Sequence, residues 1–289
     1  MRRYPPKPLF NAQPRFRNRR PVEQGEFLMH RVLTLLTLSF SAVILLMSPQ
    51  ATALDTDGLV GAWLFDEGKG DAVTDSSDNG LDGKIAQGKP KWVEGKFEGA
   101  MEFGGSDMVT VPDDNALDLE NFTLAAWVNI PKISGAWQIV ASKETRNPTG
   151  RNYGLFGNIN TGVIHYSFTT NAGWKSFDAK TAVTDGDWHH VAGTYDGSDF
   201  NLYLNGQVDA QVSPGTKPDT SDNLFFIGGC DIGNYWMSGS IDEVVLYDRP
   251  LSEKEINELM EDGMSVALDV QPGGKLVTTW SQIKAHTTR

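Results

Sequence analysis

Asp185-Gly186-Asp187-Trp188-His189-His190-Val191-Ala192-Gly193-Thr194-Tyr195, followed after a short break by Phe200-Asn201-Leu202-Tyr203-Leu204-Asn205-Gly206, decides the architecture. Trp188 to Tyr195 and Phe200 to Leu204 both have strand composition, rich in aromatic and β-branched residues. Asn205-Gly206 then supplies the strongest short hairpin signal, because both turn positions need φ > 0. Gln207 to Val212 is the return strand. Working outward, Phe122 to Ile130 alternates its apolar side chains onto one face, as a half-buried strand does. Leu224 to Gly228 and Ile241 to Tyr247 add two more strands. Clusters of Gly, Asp, Asn and Ser punctuate the chain every 8–12 residues or so, the spacing of a sandwich or barrel. One helix is expected: Ser252-Glu253-Lys254-Glu255 is a capping box, and Ile256, Leu259 and Met260 give it an apolar face. These elements predict an all-β fold, a two-sheet antiparallel β-sandwich with one short C-terminal helix.

The first 53 residues have a different character. Residues 1–31 carry eight basic and two acidic side chains. Val32 to Met47 is an apolar run of about 16 residues, short of the roughly 20 that span a bilayer, and Ala51-Thr52-Ala53 ends it with small residues. A basic start, a short apolar middle and a small-residue end make a secretory signal peptide. We read 1–28 as a basic leader that need not be translated, 29–53 as the signal peptide, 57–262 as the domain and 263–289 as a tail with one strand at 275–280. The expected location is secreted or cell-surface, including periplasmic; the alternative is an anchor formed by uncleaved residues 32–47. The whole chain has a formal net charge of −12, and residues 54–289 alone carry 17 basic and 35 acidic residues, a net of −18. Such a surface repels nucleic acid and anionic membranes. Cys230 is the only cysteine, so no internal disulfide forms.

Several segments together resemble one family. Leu59-Val60-Gly61-Ala62-Trp63-Leu64-Phe65-Asp66-Glu67 with Asp75 to Gly80, then Phe122 to Val128, then Asp185 to Gly206, and finally Gly239 to Ser252 occur in the order found in laminin-G-like jelly-roll domains of the concanavalin-A-like lectin/glucanase superfamily. The resemblance spans roughly residues 57–262. It implies a jelly roll whose first and last strands are neighbours. It leaves the ligand open, since the fold hosts lectins, adhesion modules and glycanases alike.

Catalytic motifs are missing. Glycanases need two carboxylates across a cleft, and no Glu-x-Asp-x-Glu strand is present. Asp242 and Glu243 are adjacent, and strict alternation would put them on opposite faces. His189 and His190 likewise point apart. No catalytic residue is assigned, and a divergent glycanase is the least favoured reading. Asp75 to Asp82 imitates half an EF-hand loop, but the twelfth position is Ala86 in place of Glu. The resemblance implies a different Ca2+ site, between the first-strand loop and the last strand, which would recruit Asp66, Asp75 or Asn79, and Asp242. Alternation places Asp242 beside Val244 and Leu246, where a carboxylate needs a partner; ordinary turn and backbone hydrogen bonds are the alternative. A sugar site needs aromatic platforms, and Trp137, Trp174, Tyr235 and Trp236 lie in or beside Gly/Asn-rich segments. Trp63, Trp127 and Trp188 sit within strands and are expected to pack. The expected function is a non-catalytic module for an extracellular glycan, with a protein-binding adhesion or scaffolding domain as the alternative.

Overall fold

The Asn205-Gly206 turn forms as its residue types require, with φ of 49° and 78°. It joins two strands paired from Phe200↔Val212 to Leu204↔Gln207. The computed structural model describes residues 54–131, 137–144, 150–158, 160–231 and 235–269. The leader, the signal peptide and the strand expected at 275–280 lie outside them.

Sixteen strands are described. The first eight are β1 (Leu59–Trp63), β2 (Ala72–Val73), β3 (Gly83–Gln87), β4 (Lys91–Glu94), β5 (Gly99–Gly104), β6 (Met108–Val111), β7 (Phe122–Asn129) and β8 (Gln138–Glu144). The others are β9 (Arg151–Gly157), β10 (Val163–Thr170), β11 (Gly173–Ala182), β12 (Trp188–Tyr195), β13 (Phe200–Leu204), β14 (Gln207–Val212), β15 (Phe225–Ile227) and β16 (Ser238–Tyr247). Sheet I runs β14-β13-β12-β7-β16-β5-β4, with β1 also on β16; sheet II runs β11-β10-β9-β8-β15-β6-β3-β2. Every pairing is antiparallel, and first strand β1 lies against last strand β16. The two sheets form the expected jelly-roll sandwich.

Period-two alternation explains the core. Leu124, Ala126, Val128, Val191, Ile241, Val244 and Leu246 point inward from sheet I; Leu155, Ile164, Tyr166, Phe168, Phe225 and Ile227 meet them from sheet II. Trp63 is fully buried, stacks on Phe225 with ring centroids 4.9 Å apart, and donates its indole N–H to the Leu81 carbonyl. Its expected packing role is thereby met, with the polar atom satisfied.

The outer face of sheet I is covered by two short helices, α1 (Glu253–Asp262) and α2 (Met264–Asp269), where one was expected. The capping box is formed, with Ser252 accepting from the Glu255 N–H and Glu255 accepting from the Ser252 N–H. Ile256, Leu259, Met264 and Ala267 press onto Ala62, Ala125, Ala192, Val245 and Tyr247. Small alanines on the strands let the helices approach closely. Residues 264–269, the start of the expected tail, form this second helix, held by the burial of Met264 and Ala267.

Candidate functional site

Two places gather polar or aromatic groups that packing alone does not account for. The first is a seam in sheet I. β16 pairs with β5 through Ile241 and with β1 from Val244 onward. A bulge lies at this changeover, with the register against β7 slipping between Asp242 and Val245 and Glu243 held at φ 47°. The extra residue resets the alternation. Val244 and Leu246 therefore face the core, and Asp242 does not share their side as the sequence suggested. Asp242 and Glu243, expected on opposite faces, are instead both buried and feel each other's charge.

Burial, the largest cause, pushes the Asp242 carboxyl up to about 7, with Asp66 adding to the rise and the N–H groups of Phe97 and Lys96 opposing it. Burial and the charge of Asp242 push Glu243 up to about 8. Asp242 Oδ2 accepts from Lys96 and Phe97, Glu243 Oε1 accepts from Met264, and Asp66 Oδ1 accepts from Gly99. Asp242 Oδ1 and Glu243 Oε2 have no partner although buried. Buried carboxylate oxygens are seldom left bare. Of the four residues chosen for calcium, then, Asp66 and Asp242 meet at this seam. Asp75 is engaged elsewhere, accepting from the N–H groups of Ala62, Ser77 and Leu81. The Asn79 amide donates to the carbonyls of Leu59 and Val60. Among the described residues no three His, Cys, Asp or Glu side chains converge as ligands of one metal.

The second place is the outer face of sheet II, and all four residues chosen for sugar binding lie on it. Strands β8, β9, β15 and β6 send Val140, Leu155, Phe225, Ile227 and Val109 inward, which turns Ile139, Phe156, Phe226 and Met108 outward. Trp137, Tyr235 and Trp236 pack half-buried on that outer cluster. Trp236 lies close against Gly229, where a Cβ would come within 2.6 Å of its ring. Trp174, on β11, is 46% exposed.

Between these aromatics the face carries charged groups that the sequence reading missed. Glu144 and Arg151 are paired across β8 and β9. The Arg151 guanidinium donates to Glu144 Oε2 at 2.7 and 2.5 Å and to the Ser167 hydroxyl. It lies 4.1 Å from the Phe156 ring centroid and 4.7 Å from the Trp174 ring centroid. Both stackings are cation–π contacts with a desolvated guanidinium. Across β9, β10 and β11 runs a row of Phe156, His165 and Asp178. His165 Nδ1 is 2.7 Å from Asp178 Oδ1, which also accepts from the Asn158 amide. A carboxylate only accepts, so the ring proton sits on Nδ1 and Nε2 is left as an acceptor. Burial keeps the His165 pKa below its usual value, against the pull of Asp178. Trp137 covers this imidazole with ring centroids 4.6 Å apart. One signal for these residues was present: Val163 to Thr170 alternates Ile164, Tyr166 and Phe168 with His165, Ser167 and Thr169.

The comparisons agree with this architecture. No curated protein matches the sequence. Domain 4 of AbnA, a GH43 extracellular arabinanase from Geobacillus stearothermophilus solved with arabinotriose, superposes with a TM-score of 0.57 at 20% identity, covering 70% of this chain and 98% of that one. The binding domain of Paraclostridial Mosquitocidal Protein 1 gives a TM-score of 0.59 at 15% identity over 72% of this chain. The Botulinum neurotoxin serotype G binding domain gives 0.57 at 16% over 70%. The chain spans only about half the length of these two toxin domains, 52% and 50%. At such identities the likeness establishes the fold alone. The Laminin_G_3 family model matches residues 103–257, from β5 to the middle of α1. By that match, which takes in more than half of its length, the chain belongs to the concanavalin A-like lectin/glucanases superfamily.

Proposed function

We propose that the protein is an exported, non-catalytic module that binds extracellular carbohydrate on the outer face of sheet II. The observation that carries this reading is the gathering of Trp137, Trp174, Tyr235 and Trp236 on one face, interleaved with Arg151, Glu144, His165 and Asp178. Stacking surfaces beside hydrogen-bonding groups of both kinds suit a hydroxyl-rich ligand. A neighbour of the same fold, AbnA domain 4, was solved with arabinotriose, which supports the assignment. Catalysis is disfavoured because the acids here are engaged: Glu144 is bonded to Arg151 and Ser142, and Asp178 to His165 and Asn158. Export rests on the leader pattern of residues 29–53.

A calcium ion at the sheet I seam is part of the proposal. Asp66 and Asp242 would hold it, with Glu243 beside them, and the bare Asp242 oxygen is the feature that fits a cation. The ion would supply positive charge to a buried acidic cluster and fix the chain between β1 and β5.

The test is retention of the protein on a panel of immobilised neutral polysaccharides, with wild type and Trp174→Ala side by side. We expect at least one glycan class to retain the wild type, and the substitution to weaken retention about tenfold while the melting temperature stays unchanged. Folded wild-type protein that passes through every column would overturn the carbohydrate reading in favour of a protein ligand.

A further inference from the structure

We infer that this face takes an extended, uncharged oligosaccharide laid across two separate platforms, Trp174 and Trp137, and that it turns away acidic glycans. The inference rests on the carbohydrate reading above and narrows it to a ligand class.

Trp174 is the first platform. Among the described residues it is the one aromatic side chain that counts as a large exposed apolar group. The Arg151 guanidinium, which also lies over the Phe156 ring, backs one face of the indole. Arg151 is itself locked to Glu144 and Ser167. The ring is therefore braced before any ligand arrives, which reduces the ordering cost of binding.

Trp137 is the second platform, resting on His165, whose imidazole is tied to Asp178. Trp174 and Asp178 stand four residues apart on the same face of β11. At about 3.3 Å per residue, that separation is about 13 Å. One sugar ring cannot touch both ends of such a strip, whereas a chain of several units can.

Charge decides the class. On the β8–β11 half of this face the one buried guanidinium described is already matched. Arg151 is paired with Glu144, and Asp209 is held low, against burial, mainly by the N–H groups of Lys180 and Thr181 and the Thr181 hydroxyl. His165 is neutral at pH 7, and the half-exposed Asp178 carboxylate stands against it. Among the described residues of this face an anionic sugar would find Arg151 already paired and Asp178 of its own sign, within a chain of net charge −12. It would meet repulsion in both encounter and docking. A neutral chain can instead donate hydroxyls to Asp178 and to His165 Nε2.

The experiment is titration calorimetry on the full protein, with neutral arabino-, xylo- and gluco-oligosaccharides of one to six units and with polygalacturonate and alginate fragments of matched length. Affinity for one neutral series should climb at least tenfold from monosaccharide to hexamer. Trp137→Ala and Trp174→Ala should each remove most of that gain, and the acidic fragments should bind at least tenfold more weakly. Trp174 is exposed, so its variant keeps the fold; Trp137→Phe, which retains a ring, serves as the second control. Equal affinity for monosaccharide and hexamer, or acidic fragments that bind as well as neutral ones, would sink this inference and leave the carbohydrate reading standing. No binding to any of the glycans by folded protein sinks both.

Discussion

At Glu243 the backbone turns to φ 47°, and this one residue changes what its neighbours do. Without the bulge, Asp242 would sit in the apolar interior and Glu243 on the far side. With it, both carboxyls lie on the outer face near Trp127 and Phe97, while Val244 reaches the core. A bulge leaves no mark in an alternating pattern, so the arrangement of these acids was not legible from Ile241 to Tyr247. Cross-strand from Trp127 stands His190, fully buried with its Nδ1 unpartnered. Lys96 lies over the Trp127 ring, 4.5 Å from its centroid. Burial lowers the His190 pKa from 6.5 to about 3. Because the folded value lies below the unfolded one, its contribution to stability is intact above pH 6.5. It is lost as pH falls from there toward 3. Between pH 7 and pH 4.5 the loss from this group should be about 2–3 kcal/mol. Urea unfolding of wild type and His190→Phe at both pH values measures it. The variant should lose less on acidification by that amount, and equal losses would show that His190 is not the source.

At the scale of elements, the strands legible in the sequence were those with one wet face or a clear turn. β12 to β14 were announced by Asn205-Gly206, and β7 by its alternation. Two of the strands that carry the candidate site were not. β8 and β9 are buried along their whole length, so Gln138 to Glu144 and Arg151 to Gly157 show no apolar–polar period to read. The seam along β16 is the other element-scale feature. Its first half is held by β5 and its second by β1, with Asp66 and the 95–98 turn between them. A calcium ion there would join two strands that are otherwise linked by few bonds. Calcium should therefore raise the melting temperature of the wild type by several degrees, with EDTA reversing it, and Asp242→Asn should abolish the response. A wild type whose melting is indifferent to both additions would remove calcium from the account.

On the scale of the whole molecule, the two sheets have different occupations. The outer face of sheet I is closed by α1 and α2, whose apolar sides cover Ala125, Ala192 and Tyr247. The outer face of sheet II keeps half-buried and exposed aromatics: Trp137, Tyr235, Trp236 and Trp174. The fold and these four residues were within reach of the sequence, because turn chemistry and loop composition are local. Their assembly with Arg151, Glu144, His165 and Asp178 was not, because it depends on the register of four strands. The most direct test of the central claim uses the eight tryptophans as reporters. Indole N–H resonances would be followed by NMR while a retained neutral oligosaccharide is added. The account predicts that the signals of Trp174 and Trp137 shift together and saturate, while those of Trp63, in the core, and Trp127, beneath Phe97, stay in place. Saturable binding that leaves Trp174 and Trp137 unmoved would contradict it.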